Sequence, residues 1–340
     1  MTSSDYEVFD LGRVELQSGE ELLEAKLAYK TYGTLNADAS NVVVLPTFYT
    51  GTHIRNEGFF GPGRAIDPAH HFVVSINMFG NGVSSSPSNA TALQAGPRFP
   101  AVTLSDNVRC QRLLLTERLG VTRIALVAGW SMAGCQAYQW ASQYPDMVEA
   151  IVPFCASARV SPHNFVFLEG VKAALQADQD WAGGDYVHPP TRGLRAFARV
   201  YAGWAYSQTF YREGLYRRIG YATIEDLLCD WEDDHVRNWD ANDLLAMLRT
   251  WQAADISATS AYRGDFAKAL QSITARAVLI PCVQDLYFPP ADNEIEARHM
   301  NRASFRPFDS PFGHCAPSPG NDPAFTRFLD QQIAEVLRPH

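Results

Sequence analysis

The chain has 340 residues, 46% hydrophobic and 19% charged, which is the composition of a folded globular protein and excludes a disordered one. Its 28 basic residues face 37 acidic ones, a net charge of −9, so a nucleic-acid partner is not expected because an acidic surface repels phosphate. No apolar run approaches the roughly 18 residues of a membrane span, so a membrane-spanning helix is not expected.

In chain order, Met1-Thr2-Ser3-Ser4-Asp5-Tyr6 lacks the basic and apolar regions of a signal peptide. Residues 7 to 32 alternate as an N-terminal strand pair. Asn41–Leu45 and His71–Ile76 are β-branched runs that suit strands buried on both faces. A Gly-rich loop, Thr50–Gly63, separates them, and a polar loop, Gly80–Pro100, follows. Asp106–Leu119 predicts an amphipathic helix with Ser105 as N-cap and Gly120 as its stop. Arg123–Ala128 is a third buried strand, running into Gly129-Trp130-Ser131-Met132-Ala133-Gly134 and then a helix to Tyr144. Pro145 ends that helix. Glu149–Phe154 is the next strand. This alternation implies a parallel, doubly wound α/β sheet.

From Ser161 to Leu270 the chain reads as helices and loops rich in Trp and Tyr. Strands return at Ala275–Pro281 and near Ser304–Pro307, and a last helix covers Pro323–Leu337. The division expected is a core of residues 1–160 and 271–340 with a helical insertion over 161–270. The cysteines, at positions 110, 135, 155, 229, 282 and 315, form no C-x-x-C pair. They read as scattered thiols of a cytoplasmic protein, and no structural zinc is expected.

A strand, a tight turn on Ser131 and a helix are the geometry of a nucleophile elbow. Gly129, Ala133 and Gly134 are the small neighbours it needs, although Ala133 stands where the strict pattern has Gly. A helix N-terminus behind the serine suits an oxyanion. Partners are sought in the order Ser, acid, His. Asp285 follows the strand at 275–281, and His314 lies in the loop after the next strand. His314 would take the serine proton, and Asp285 would hold its tautomer. Of the other histidines, His53 could line a pocket. Positions 70, 71, 163, 188, 235, 299 and 340 suit surface or core duty. The acidic stretch Trp231-Glu232-Asp233-Asp234-His235 reads as a solvated helix face.

With these residues in view, the chain resembles the homoserine O-acetyltransferase family of α/β-hydrolases over most of its length. The family's Gly-Gly-Ser-Met-Gly-Gly elbow corresponds to residues 129–134, and its His-Ala-Leu-Thr-Gly oxyanion loop to Thr47-Phe48-Tyr49-Thr50-Gly51. Asn77-Met78-Phe79-Gly80-Asn81-Gly82 and Phe99-Pro100-Ala101-Val102-Thr103 are similar to its loop motifs. Asp180-Trp181, Gly184-Asp185-Tyr186, Gly193-Leu194 and Ala198-Arg199 look like its lid. The resemblance implies an α/β-hydrolase fold with a helical lid between core strands and an acyl-enzyme on Ser131. It also implies an oxyanion hole from the N–H groups of Tyr49 and Met132, and a homodimer formed through the lids. The family holds its acceptor's carboxylate with an Arg and a Tyr seven residues apart, the spacing of Arg199 and Tyr206. That spacing is about two helical turns, so both would share one face. Arg192, Arg195 and Arg199 equally form a plain basic stripe.

Three positions depart from the family pattern. Cys315 replaces the Asp that helps hold the acceptor's ammonium, bulky Trp130 replaces a Gly before the nucleophile, and Thr47 replaces His. With Thr50, Arg199 and Tyr206, both Trp130 and Cys315 are candidate substrate contacts. Losing an ionic contact to a buried ammonium costs ~2–5 kcal/mol. The expected function is therefore a serine esterase of small, acetyl or other short-chain esters, requiring no cofactor or metal. The alternative is an acyltransferase using acetyl-CoA or succinyl-CoA with homoserine or a related amino alcohol. A silent binding protein on the same fold is a third reading, which an intact Ser, Asp and His oppose. The aromatic crowd Tyr201, Trp204, Tyr206, Phe210, Tyr211 and Tyr216 marks lid packing or a subunit interface.

Overall fold

The structure, a computed structural model, describes residues 5–338; positions 1–4 of the leader reading and His340 lie outside the described residues. Eight strands form one sheet: β1 Glu7–Glu15, β2 Glu21–Tyr32, β3 Val42–Pro46, β4 Phe72–Ile76, β5 Leu126–Trp130, β6 Ala150–Phe154, β7 Arg276–Leu279 and β8 Ala303–Phe305. Their order is β1-β2-β4-β3-β5-β6-β7-β8. β1 pairs antiparallel with β2, and β2 with β4; every other ladder is parallel. This is the mostly parallel, doubly wound sheet expected.

The strand sequences explain the layering. Every residue of β3, β4, β5 and β6 is buried, so both sheet faces must be covered. Successive side chains go to opposite sides. Val43 and Leu45 enter one hydrophobic cluster, and Val42 and Val44 the other. The second cluster takes in α2 (Leu104–Leu113) and the C-terminal half of α3 (Met132–Gln143).

Two element boundaries differ from the sequence expectation. α2 starts earlier because Thr103, not Ser105, is its N-cap. The Thr103 hydroxyl accepts from the Asp106 N–H while the Asp106 carboxylate accepts from the Thr103 N–H. Beyond Leu113 the helix widens into a π turn, Leu114–Arg118. β5 lies three residues later at its start than Arg123 and runs to Trp130, because its ladder with β6 continues through Gly129↔Pro153 and Trp130↔Phe154. The whole turn into α3 therefore falls on Ser131.

Between β6 and β7 lie α4 (Pro162–Gln176), α5 (Thr191–Ala205), α6 (Gln208–Arg212), α7 (Ile224–Asn238), α8 (Ala241–Gln252) and α9 (Phe266–Gln271). A one-turn helix, α1 (His53–Asn56), precedes β4, while α10 (Pro290–His299) and α11 (Pro323–Leu337) complete the chain. The aromatic crowd goes largely to internal packing. Tyr201, Tyr206, Phe210 and Tyr216 are buried, and Tyr206 stacks on Phe210 at 4.0 Å. Among the described residues no helix is long and apolar enough to cross a membrane.

α10 is pinned by a buried carboxylate. Glu296 accepts hydrogen bonds from the Tyr138 hydroxyl (2.6 Å), the Ala158 N–H (2.7 Å) and the Asn293 amide (2.6 Å). Burial outweighs these donors and pushes its carboxyl up to about 7. The native state therefore keeps a proton that the unfolded chain releases near pH ~4.3. That contribution is intact below about pH 4, is lost as pH rises, and levels off above about 7 at a deficit of about 3 kcal/mol. Urea unfolding of wild type and Glu296→Gln from pH 4.5 to 8 tests this. The stability of the variant relative to wild type is expected to rise with pH, and a pH-independent difference would contradict it.

Candidate active site

At Ser131 the backbone takes φ 58°, ψ −130°, a conformation that L-residues avoid. Packing on both sides enforces it. A Cβ on Gly129 would lie 2.4 Å from the Ala133 Cβ, and one on Gly134 would lie 2.5 Å from the Ala156 Cβ. Only hydrogen fits at either position, whereas Ala133 carries its methyl without displacing the turn. The Ser131 N–H donates to the Phe154 carbonyl at 3.1 Å, and its carbonyl accepts the Cys135 N–H, opening α3.

Asp285 and His314 pair with each other, and His314 shares a cavity with Ser131. Asp285 Oδ2 lies 2.7 Å from His314 Nδ1. Asp285 Oδ1 accepts the N–H groups of Tyr287 (2.7 Å) and Phe288 (3.2 Å), which fixes the carboxylate plane. Both side chains are almost fully buried. The His314 ring is walled by Tyr287 edge-on at 4.5 Å, by Phe288 at 5.6 Å and by Trp130 at 5.4 Å. The Cys155 thiol joins the pair, with the ligand-type atoms of Cys155, Asp285 and His314 all within 4.8 Å. Burial pushes that thiol well above its usual range, so it stays protonated. Nothing in the sequence pattern around Cys155 marked it.

Ser131 and His314 open into one cavity of about 930 Å³. Tyr49, Thr50, Trp130, Tyr206 and Cys315 also line it. Thr50 sits at φ 56° with its hydroxyl on the Tyr49 carbonyl. Met132 is buried as the first residue of α3. Among the described residues, neither the Tyr49 nor the Met132 N–H donates to a protein group.

Three sequence expectations need correction. α5 ends at Ala205, and Tyr206 is extended (φ −104°, ψ 154°) because Ser207 caps the following α6. Arg199 and Tyr206 therefore do not share a helix face. Arg199 is instead paired with Glu225 and Glu232 of α7 and is absent from the cavity wall. Arg195 joins Glu232 at 2.7 Å, so the stripe is a structural seam between α5 and α7. His53 does not line the pocket either: its ring lies against Asn77 and Asp5. The stretch 231–235 is a solvated face only in part: Asp233 and Asp234 stay substantially exposed, Glu232 and His235 are buried, and Trp231, Asp233, Asp234 and His235 border the cavity. Charge density hid the α7 face, since the acids divide between ion pairs and the cavity.

A family model described as the alpha/beta hydrolase fold matches residues 41–316. The chain belongs to the α/β-hydrolase fold family. It is 35% identical over 335 residues to the ethyl acetate hydrolase of Pseudomonas veronii, covering 98% of this chain and 95% of that one. It is 34% identical over 314 residues to the homoserine O-acetyltransferase of Chlorobium chlorochromatii, covering 88% and 87%. The structure of the acetyl esterase MekB aligns with a TM-score of 0.95 at 34% identity, over 98% of this chain and 97% of that chain. The chain thus groups with esterases related to the homoserine O-acetyltransferases.

The departures from that family's pattern now have physical readings. The Trp130 indole N–H donates to the His314 carbonyl at 3.0 Å, so it braces the histidine loop as well as walling the cavity. Thr47 is fully buried, and its hydroxyl accepts the Met78 N–H at 3.0 Å. It holds the loop and does not line the cavity. Burial pushes the Cys315 thiol up to about 12, leaving a neutral group where an ammonium would need an anion.

The strain at Ser131 has a measurable consequence. Ser131→Gly and Ser131→Ala both lose the hydroxyl, but only glycine tolerates φ 58° without strain. The glycine variant is expected to be the more stable by about 1 kcal/mol in denaturant unfolding. Equal stability would mean that the turn relaxes.

Proposed function

We propose that this protein is a serine esterase that hydrolyses short-chain carboxylic esters, acetyl esters first. Ser131 Oγ attacks the ester carbonyl while His314 takes its proton. Asp285 accepts from Nδ1–H, holds the tautomer and stabilises the imidazolium. The N–H groups of Tyr49 and Met132 receive the oxyanion. The alcohol leaves with the proton from His314. Water then attacks the acyl-enzyme while His314 accepts its proton, and His314 returns that proton to Ser131 Oγ as the acyl–oxygen bond breaks and the short-chain acid departs. The observation that carries this reading is the buried Asp285–His314 bond in the same cavity as the strained Ser131. The unoccupied donors of Tyr49 and Met132 support the oxyanion assignment.

The acceptor side favours hydrolysis over transfer to homoserine. Arg199 is neutralised by two carboxylates, and Cys315 is an uncharged thiol. Neither Arg199 nor Cys315 can then supply the ionic contact that the family pattern gives a zwitterionic amino alcohol at that position. In this reading the helices of residues 161–270 form a lid on a core of 1–160 and 271–340. The six free cysteines fit a reducing cytoplasm. A homodimer through the lid is supported by exposed Phe165 and Val166 on α4 and Val200 on α5.

Purified protein is expected to hydrolyse p-nitrophenyl acetate and ethyl acetate, with Ser131→Ala slower by about 10⁴-fold or more. With acetyl-CoA and homoserine, homoserine-dependent thiol release is expected to be absent. Rapid release would instead establish the acyltransferase. Sedimentation over a concentration series is expected to show a dimer, and monomer throughout would overturn the lid interface.

A further inference from the structure

One cation of the cavity wall has no acid beside it. Arg55, the third residue of α1, lines the cavity and is exposed to solvent. Its Nη1 donates to the Thr50 carbonyl at 3.2 Å, and its guanidinium lies over the Phe48 ring, 5.5 Å from the centroid. Among the described residues no carboxylate pairs with it. A guanidinium carries five N–H donors, so most of them are left for a partner from outside the chain.

The other charged groups of the wall are engaged. Arg237 pairs with Asp233 at 2.8 Å, and Arg195 approaches the same carboxylate at 3.6 Å. Asp230 accepts the Tyr221 hydroxyl at 2.6 Å, and Asp234 accepts the Asn238 amide at 2.8 Å. These acids of α7 repel a second anion, so the cavity offers an anion only its α1 side.

That side adjoins the ester. Thr50 follows Tyr49, whose N–H is assigned to the oxyanion. Two extended residues reach about 7 Å, so the Arg55 nitrogen lies within about 10 Å of that N–H. Phe48 packs on Trp130 with ring centroids 4.8 Å apart, and Trp130 on His314 at 5.4 Å. The Arg55 charge also reaches the histidine loop: burial raises the Cys315 thiol, and Arg55 is the first influence that opposes it. Cys315 follows His314, which returns the proton to the leaving alcohol, so the charge falls on the alcohol side.

We propose that Arg55 reads an anionic group on the alcohol part, so that the preferred substrates are short-chain acyl esters of hydroxy acids, whose carboxylate meets the guanidinium. This rests on the ester-hydrolase reading and names its alcohol. A planar guanidinium suits a carboxylate because two parallel N–H groups meet its two oxygens. Because Arg55 is solvated, the contact has the strength of an exposed ion pair and is screened by salt.

The test compares 4-acetoxybutanoate with 4-acetoxybutanamide, which match in shape and differ in charge. The readout is the ratio of their kcat/KM values, which cancels any change in the shared oxyanion hole. In Arg55→Gln the ratio is expected to fall about fivefold from wild type, the scale of an exposed ion pair. Arg55→Lys keeps the charge and should recover part of the loss. Added salt should lower the wild-type ratio and not that of Arg55→Gln. A ratio in Arg55→Gln within twofold of wild type would overturn the proposal while leaving the esterase intact. Monoethyl succinate and ethyl succinamate carry the same contrast on the acyl side, and a larger fall for that pair would overturn the alcohol assignment. Failure of wild type to hydrolyse any of these esters would overturn the esterase reading and the anion subsite with it.

Discussion

At the end of β5 the chain reverses into α3 through one residue held at φ 58°, and close packing stops it relaxing. Gly129 lies against Ala133, and Gly134 against Ala156, so strand, helix and the start of the next loop are in contact through their backbones. The strain at Ser131 is sustained by the burial of β5 and β6 on both faces. The same turn sets the buried serine in the cavity wall at the carboxyl end of a parallel strand. It also points the first N–H groups of α3 toward the same space.

The histidine side is organised differently. Asp285 and His314 sit on loops after β7 and β8, and loops alone would position them loosely. Their precision comes from what surrounds them. Two backbone N–H groups fix Asp285, three aromatic rings enclose His314, and the Trp130 indole ties the histidine loop to the end of β5. A bulky residue that looked like a simple narrowing of the entrance is therefore also a brace.

The same economy runs through the helices between β6 and β7. The arginines of α5 and the acids of α7 neutralise each other and weld the two helices. That seam keeps the Arg199 guanidinium out of the cavity, whose wall combines aromatic rings with Arg55, Arg237 and the aspartates of α7. A scaffold shared with acyltransferases thereby turns the Arg199 cation to structural use and carries an uncharged thiol at Cys315.

Much of the fold was legible in the residues themselves. β-branched runs, the small residues around Ser131 and the order of Ser131, Asp285 and His314 are local patterns, and local patterns carry the doubly wound sheet and the positions at its carboxyl edge. The α2 N-terminus was misplaced by two residues because Thr103 and Ser105 are both good caps, and only the reciprocal bond with Asp106 separates them. What tertiary structure alone decided was the fate of charged and polar side chains. Arg199 could bind a substrate or pair with α7, and its spacing from Tyr206 suited the first until α5 ended at Ala205. His235 stood in an acidic run that looked solvated, yet it faces the cavity. The reason is physical: apolar periodicity records which face is buried, whereas a charged residue's role depends on which partner lies opposite, and that partner comes from a distant part of the chain.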